Sequence, residues 1–172
     1  MQPVRDCMVR AAMAEDALTI EHPNRAKASS KATKAIVILL LLVSAGLVLI
    51  VTIGGWSALQ GAKALQIGYI AIYLLLAFYV ARWNRGVLPV AAALAIILLI
   101  FAAVSAPAWF DRDKTGFTDP ALDSDLLGLI TALIVPVQIL LIAFAMQGFA
   151  QAWNVEVERR HDAPPDAVPA AG

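Results

Sequence analysis

Nineteen consecutive residues, Ala35 to Ile53, read AIVILLLLVSAGLVLIVTI without a charged side chain. As a helix rising about 1.5 Å per residue the run extends roughly 28 Å, close to the hydrocarbon thickness of a bilayer. Three more uncharged runs follow: Ala64 to Ala81, Val90 to Ala106 and Leu126 to Met146. In lipid each run must satisfy its own backbone hydrogen bonds, which a helix does and a lone strand does not. The sequence therefore predicts an all-α integral membrane protein. Its four transmembrane helices, at about 35–53, 64–81, 88–106 and 126–148, are expected to pack as an antiparallel bundle.

Composition agrees, with 60% hydrophobic and only 15% charged residues, so the bilayer is the expected solvent. The formal net charge is zero, and nothing in it points to a nucleic-acid partner. Cys7 is the single cysteine, which rules out an intrachain disulfide, a dithiol redox pair and a thiolate cluster.

The segments between the runs set their boundaries. Residues 1–34 are polar and weakly patterned and read as a flexible cytoplasmic tail, with Met8 and Met13 as alternative starts. A polar lead this long, before a run this long, is not expected to be a cleaved signal. Gly54-Gly55-Trp56 ends the first span, and Arg82-Trp83-Asn84-Arg85 ends the second at a basic, aromatic boundary. Gly86 and Pro89 then allow a tight reversal, so spans two and three are expected to form a hairpin. The third span should stop at Pro107, and Pro136 should kink the fourth. Gln147, Gln151, Asn154 and Glu158 recur at helical spacing, which predicts that the fourth helix continues to about residue 160 with these four on one face. Residues 161–172 contain three prolines and no periodicity and read as a disordered tail.

Charge gives the orientation. Arg5, Arg10, Arg25, Lys27, Lys31, Lys34, Arg82, Arg85, Arg159 and Arg160 fall on one side of the four spans, and Lys63, Arg112 and Lys114 on the other. Basic residues near spans stay cytoplasmic, so this split of ten to three places both termini inside. The expected location is a bacterial-type plasma membrane. The tryptophans match, with Trp83 and Trp153 at the inner boundary and Trp56 and Trp109 at the outer one.

The spans lack the residues that several membrane chemistries need. They hold no carboxylate for proton-coupled export, no histidine pair for haem and no cysteine pair for thiol oxidation; His22 and His161 lie outside them. No enzymatic activity is expected. Gln138, two residues after Pro136, is the strongest intramembrane polar feature. It reads as an interhelical hydrogen-bond partner, with a substrate or ion contact as the sharper alternative. Gly128 with Ala132, Ala64 with Gly68, and Ala91 with Ala95 could allow close packing. Arg25, Lys27, Lys31 and Lys34 read as a topology signal and, more sharply, as a contact for anionic lipid.

The outer loop carries half a calcium motif. Asp111, Asp113, Thr115, Gly116 and Asp119 stand at positions one, three, five, six and nine of the alternating-oxygen loop, but the twelfth position is Leu122 and Asp123 comes one residue late. The loop is thus an acidic, soluble turn that doubles as a candidate site for a divalent cation such as Ca2+, with no other cofactor implied. The expected function is that of a structural or accessory subunit acting through helix packing, partnered by the lipid bilayer and by a homo-oligomer or larger membrane complex. The alternative is an oligomeric small transporter or channel component.

Overall fold

The computed structural model describes residues 18–21, 23–59, 61–113 and 120–160. Its body is four helices, α1 (Ala28–Gly54), α2 (Lys63–Ala81), α3 (Val87–Phe110) and α4 (Ser124–Ala150), each long and apolar enough to cross a membrane. A single helical turn, Pro23–Ala26, precedes α1, and a 3-10 turn, Asp111–Asp113, follows α3. Two short strands, β1 (Leu18–Glu21) and β2 (Val157–Arg160), pair antiparallel with Leu18 opposite Arg160 and Glu21 opposite Val157.

Contacts at the two ends make the helices alternate in direction. At one end the Leu122 N–H donates to the Gly54 carbonyl at 3.2 Å, and Trp109 lies against Gly55. At the other, Arg85 Nε donates to the Phe149 carbonyl at 2.7 Å and Asn24 Nδ2 to the Ala152 carbonyl at 3.1 Å. These are the loop end and the terminal end.

Each helix is apolar on all sides, so small and weakly polar residues decide which face turns inward. On α1 the buried set Ser30, Thr33, Val37, Leu41, Ser44, Val48 and Val51 recurs at three and four, while Leu39, Leu49 and Ile53 are exposed. On α3 the inner face is an alanine seam, Ala91, Ala95, Ala102 and Ala106, and Ile96, Ile100 and Val104 face outward. Lipid is as apolar as a leucine face, so burying leucine gains little in a membrane; close van der Waals approach of small residues gains more. The seam accordingly makes α3 and α4 the most intimately packed pair, with α1 against both α2 and α4. Of the small-residue pairs, Ala91 and Ala95 are fully enclosed and Gly128 receives the Phe110 ring, whereas a Cβ at Gly68 would meet nothing within 4 Å.

Several boundaries depart from the sequence reading, each for a physical reason. The first helix begins at Ala28, within the expected flexible tail, because its polar first turns have partners: Thr33 Oγ1 receives Gln151 Nε2 at 2.9 Å and Ser30 is buried. Pro107 does not end α3. Its ring stands on the exposed side, and the Asp111 N–H closes the final turn on the Pro107 carbonyl. The expected hairpin of spans two and three is splayed: α2 and α3 share a tight turn but touch sparsely along their length.

The fourth helix stops at Ala150, not near 160. Ala152 takes φ 48°, turning the chain back so that Trp153 becomes fully buried, and residues 157–160 run as β2. The polar stripe therefore does not exist as a helical face. Gln147 is exposed on α4, Gln151 and Asn154 lie in the turn, and Glu158 sits opposite Ile20 in the ribbon. Residues 1–17 and 161–172, where the tails were expected to be disordered, lie outside the described residues.

Candidate functional site

Midway along the helices a polar chain crosses three of them. Gln138 of α4 has no exposed surface; its Oε1 accepts from the Tyr73 hydroxyl of α2 at 2.9 Å and its Nε2 donates to Ser44 Oγ of α1 at 2.9 Å. Ser44 Oγ in turn donates to the Leu40 carbonyl one turn earlier at 2.7 Å. The amide oxygen, the amide nitrogen and both hydroxyls each make at least one hydrogen bond within this chain. In a low-dielectric interior an unpaired amide costs about 1–3 kcal/mol or more, and this closure removes that penalty. Among the described residues every fully buried side-chain nitrogen or oxygen has a hydrogen-bond partner.

Toward the loop end the arrangement loosens where α2 and α3 diverge. A cavity of about 180 Å³ opens there, walled by Val48, Leu98, Phe101 and Ile134 and bordered by Gln66, Tyr69 and Trp109. At its edge the Thr52 hydroxyl lies 2.6 Å from both the Val48 carbonyl and Gln66 Oε1, and its single proton is shared between them. Two cations stand next to residues of its lining: Lys63, which follows Ala62, lies 4.6 Å over the Trp56 ring, and Arg112 lies 4.6 Å over the Trp109 ring.

The terminal end is a clasp. Arg25 Nε donates to the Trp153 carbonyl at 3.0 Å and its terminal nitrogen reaches Asn154 Oδ1 at 3.3 Å. Lys34 stands 4.0 Å over the Trp83 ring, and Trp153 Nε1 donates to Gln151 Oε1 at 3.0 Å. Two members of the basic cluster, Arg25 and Lys34, are thus engaged by the chain itself.

The outer loop is only partly described. Asp111 follows α3 with an exposed side chain, the side chain of Asp113 and all of Thr115, Gly116 and Asp119 lie outside the described residues, and so does any cation geometry they form. Asp123 has a definite role as the N-cap of α4: its carboxylate accepts from the N–H groups of Asp125 at 2.9 Å and Leu126 at 3.3 Å. Among the described residues no three His, Cys, Asp or Glu side chains converge.

Sequence reasoning singled out Gln138 but missed Ser44 and Tyr73. Hydroxyls are unremarkable in a membrane helix, and only the register of three helices brings these two to one amide. Trp109 and Trp153 were expected at lipid boundaries; both are buried, and only Trp56 is strongly exposed. Compared with protein-family models, curated proteins and solved structures, the chain matches none.

Proposed function

We propose that the protein is a multi-pass subunit of a bacterial-type cytoplasmic membrane, with both termini inside, that acts as a structural or accessory component through lateral helix packing. The observation that carries this reading is the closed chain Ser44–Gln138–Tyr73: the one strongly polar group at mid-depth is consumed in joining three helices of its own chain. A substrate or ion path needs polar groups that are accessible and can exchange partners, and this amide has no exposed surface and is engaged at both its oxygen and its nitrogen. Around that locked interior the outward surface is a belt of large apolar side chains, such as Leu39, Ile100 and Leu129, suited to lipid and to other helices. The ten-to-three split of basic residues supports the orientation.

Native mass measurement and crosslinking after mild detergent extraction test the reading. The expected result is a defined assembly larger than one chain, together with no solute flux when the protein is reconstituted in vesicles. A lone monomer throughout, or flux that Gln138→Leu abolishes, overturns it.

A further inference from the structure

We propose that the cavity between α2 and α3 holds one acyl chain of a glycerophospholipid, entering from the side, with the chain's ester carbonyl received by donors at the cavity's upper edge. The inference rests on the reading of the helices as membrane-spanning.

Three observations converge on that occupant. The first is the opening itself. Consecutive helices α2 and α3 share a tight turn yet diverge, and the divergence leaves about 180 Å³ among otherwise close-packed helices. An apolar cavity of roughly 150 Å³ already takes up benzene, so this one accommodates several methylene groups. At the depth of the spans what surrounds the gap is hydrocarbon. The second is a set of unspent donors. Tyr69 is 7% exposed and Trp109 is 4% exposed, yet neither the hydroxyl nor the indole N–H makes a hydrogen bond among the described residues. The Gln66 amide nitrogen also meets no acceptor among the described residues, its oxygen being occupied by Thr52. Since no fully buried nitrogen or oxygen among the described residues lacks a partner, these donors keep some accessible surface, and a donor that faces hydrocarbon in place of water is costly unless an acceptor meets it.

The third is their depth. Gln66 and Tyr69 stand three and six residues inside the start of α2 at Lys63, about 4.5 and 9 Å along the helix axis. Trp109 lies one residue from the end of α3. Donors are therefore shallow, the apolar wall formed by Leu98 and Ile134 is deeper, and Lys63 is the first residue of α2, next to Ala62 of the lining. A glycerophospholipid has the same order: anionic phosphate at the surface, ester carbonyls just below, methylenes beneath. A plain hydrocarbon has no use for the donors.

The test uses the full chain purified in detergent, incubated with a diacyl phosphatidylglycerol or its ether-linked analogue, which lacks the carbonyls. Retained lipid is counted by native mass spectrometry. Wild-type protein should keep one diacyl lipid under conditions that strip the rest, and about tenfold less of the ether lipid, as the loss of a buried acceptor implies. Ser105→Leu, which fills the cavity from the exposed flank of α3 and not from its alanine seam, should lower diacyl retention about tenfold while leaving the lipid-free melting temperature equal or higher. Tyr69→Phe preserves the edge contact with Tyr73 and should bring diacyl retention down toward the ether level. Gly46→Ala, on open surface, should change nothing. Equal retention of the two lipids, full retention by Ser105→Leu, or displacement of the lipid by oleate alone at equal concentration overturns the proposal. No retained lipid in a chain that still fractionates with membranes overturns it too; a chain recovered in the soluble fraction overturns the membrane reading beneath it.

Discussion

Trp83 and Trp153 meet edge to face at the terminal end, ring centroids 5.3 Å apart and planes at 83°. Seventy residues of sequence separate them, and both sit where a helix has just ended. Trp83 holds φ 63°, and the N–H of Asn84 donates to the Tyr79 carbonyl while that of Trp83 donates to the Val80 carbonyl. This is the bonding of a helix terminus that ordinarily takes glycine at the left-handed position. Ala152, one residue before Trp153, holds φ 48°. Two non-glycine residues in that region cost about 1 kcal/mol or more each, and the Trp83–Trp153 contact, with Lys34 over one ring, is what offsets the cost.

Opposite signs follow for one substitution type at two places. Ala152→Gly relieves strain and loses only a methyl group, so stability should rise by about 0.5–1 kcal/mol. Trp83→Gly relieves the same strain but forfeits the ring contacts, and stability should fall by about 2 kcal/mol or more. Unfolding of the detergent-solubilised protein by graded SDS reads both. A gain for Trp83→Gly would mean that the aromatic contact contributes little.

These two positions also mark where sequence reading stopped. Apolar runs longer than any soluble helix needs made the four helices legible, since hydrocarbon thickness is a constraint that each run meets alone. The terminal end was not legible in that way. Nothing local in Gln147, Gln151, Asn154 and Glu158 forbids a continuing helix; it is the pocket formed by Trp83, Gly148 and Leu88 that draws Trp153 back and ends it. Likewise the alanines of α3 were visible, but their use as the seam against α4 depends on which face the neighbouring helix meets. The cavity arises from two helices that diverge, a relation no single segment encodes.

The polar chain at mid-depth should behave as a coupled unit. Tyr73→Phe leaves Gln138 Oε1 without its donor, Ser44→Ala leaves Nε2 without its acceptor, and each should cost about 0.6–2 kcal/mol. Because one amide carries both bonds, Gln138→Leu should cost less than the two single changes summed, and adding Tyr73→Phe to Gln138→Leu should cost little more. A thermodynamic cycle in SDS or steric-trap unfolding measures this. Strict additivity of Tyr73→Phe with Gln138→Leu would show that the hydroxyl and the amide are not energetically joined.

Glycine-to-alanine changes should likewise divide by environment. A Cβ at Gly46 or Gly68 meets nothing within 4 Å, so alanine there should stabilise the helix by about 0.5–1 kcal/mol. At Gly128 it would come within 2.8 Å of the Phe110 ring, and at Gly55 within 2.6 Å of the Trp109 ring and 2.9 Å of the Val51 carbonyl. Overpacking of this kind costs about 1–3 kcal/mol. Gly55→Ala should be the worse of the two, since Phe110 is half exposed and can swing aside whereas the Val51 carbonyl belongs to a helix backbone. Melting temperatures in one detergent suffice, and a stabilising Gly55→Ala would show that the Trp109 contact is loose.

Orientation in the membrane can be tested with the same economy. Among the described residues, alternating helix directions put 23–27, the 82–86 turn and the turn after α4 at one end, and 55–59 and 120–123 at the other. In the sequence ten basic residues fall on the side of the first end and three on the other, and the proposed orientation, with basic residues retained inside, puts the first end in the cytoplasm. With Cys7 replaced, single cysteines at Ser29, Thr118 and Ala167 probe both ends; Ser29 is exposed on the first turn of α1. An impermeant thiol reagent applied to intact cells should label position 118 alone, and all three after permeabilisation. Labelling at 29 and 167 but not 118 would invert the orientation. Labelling at 29 together with 118 would break the alternation itself, because four crossings leave both termini on one side.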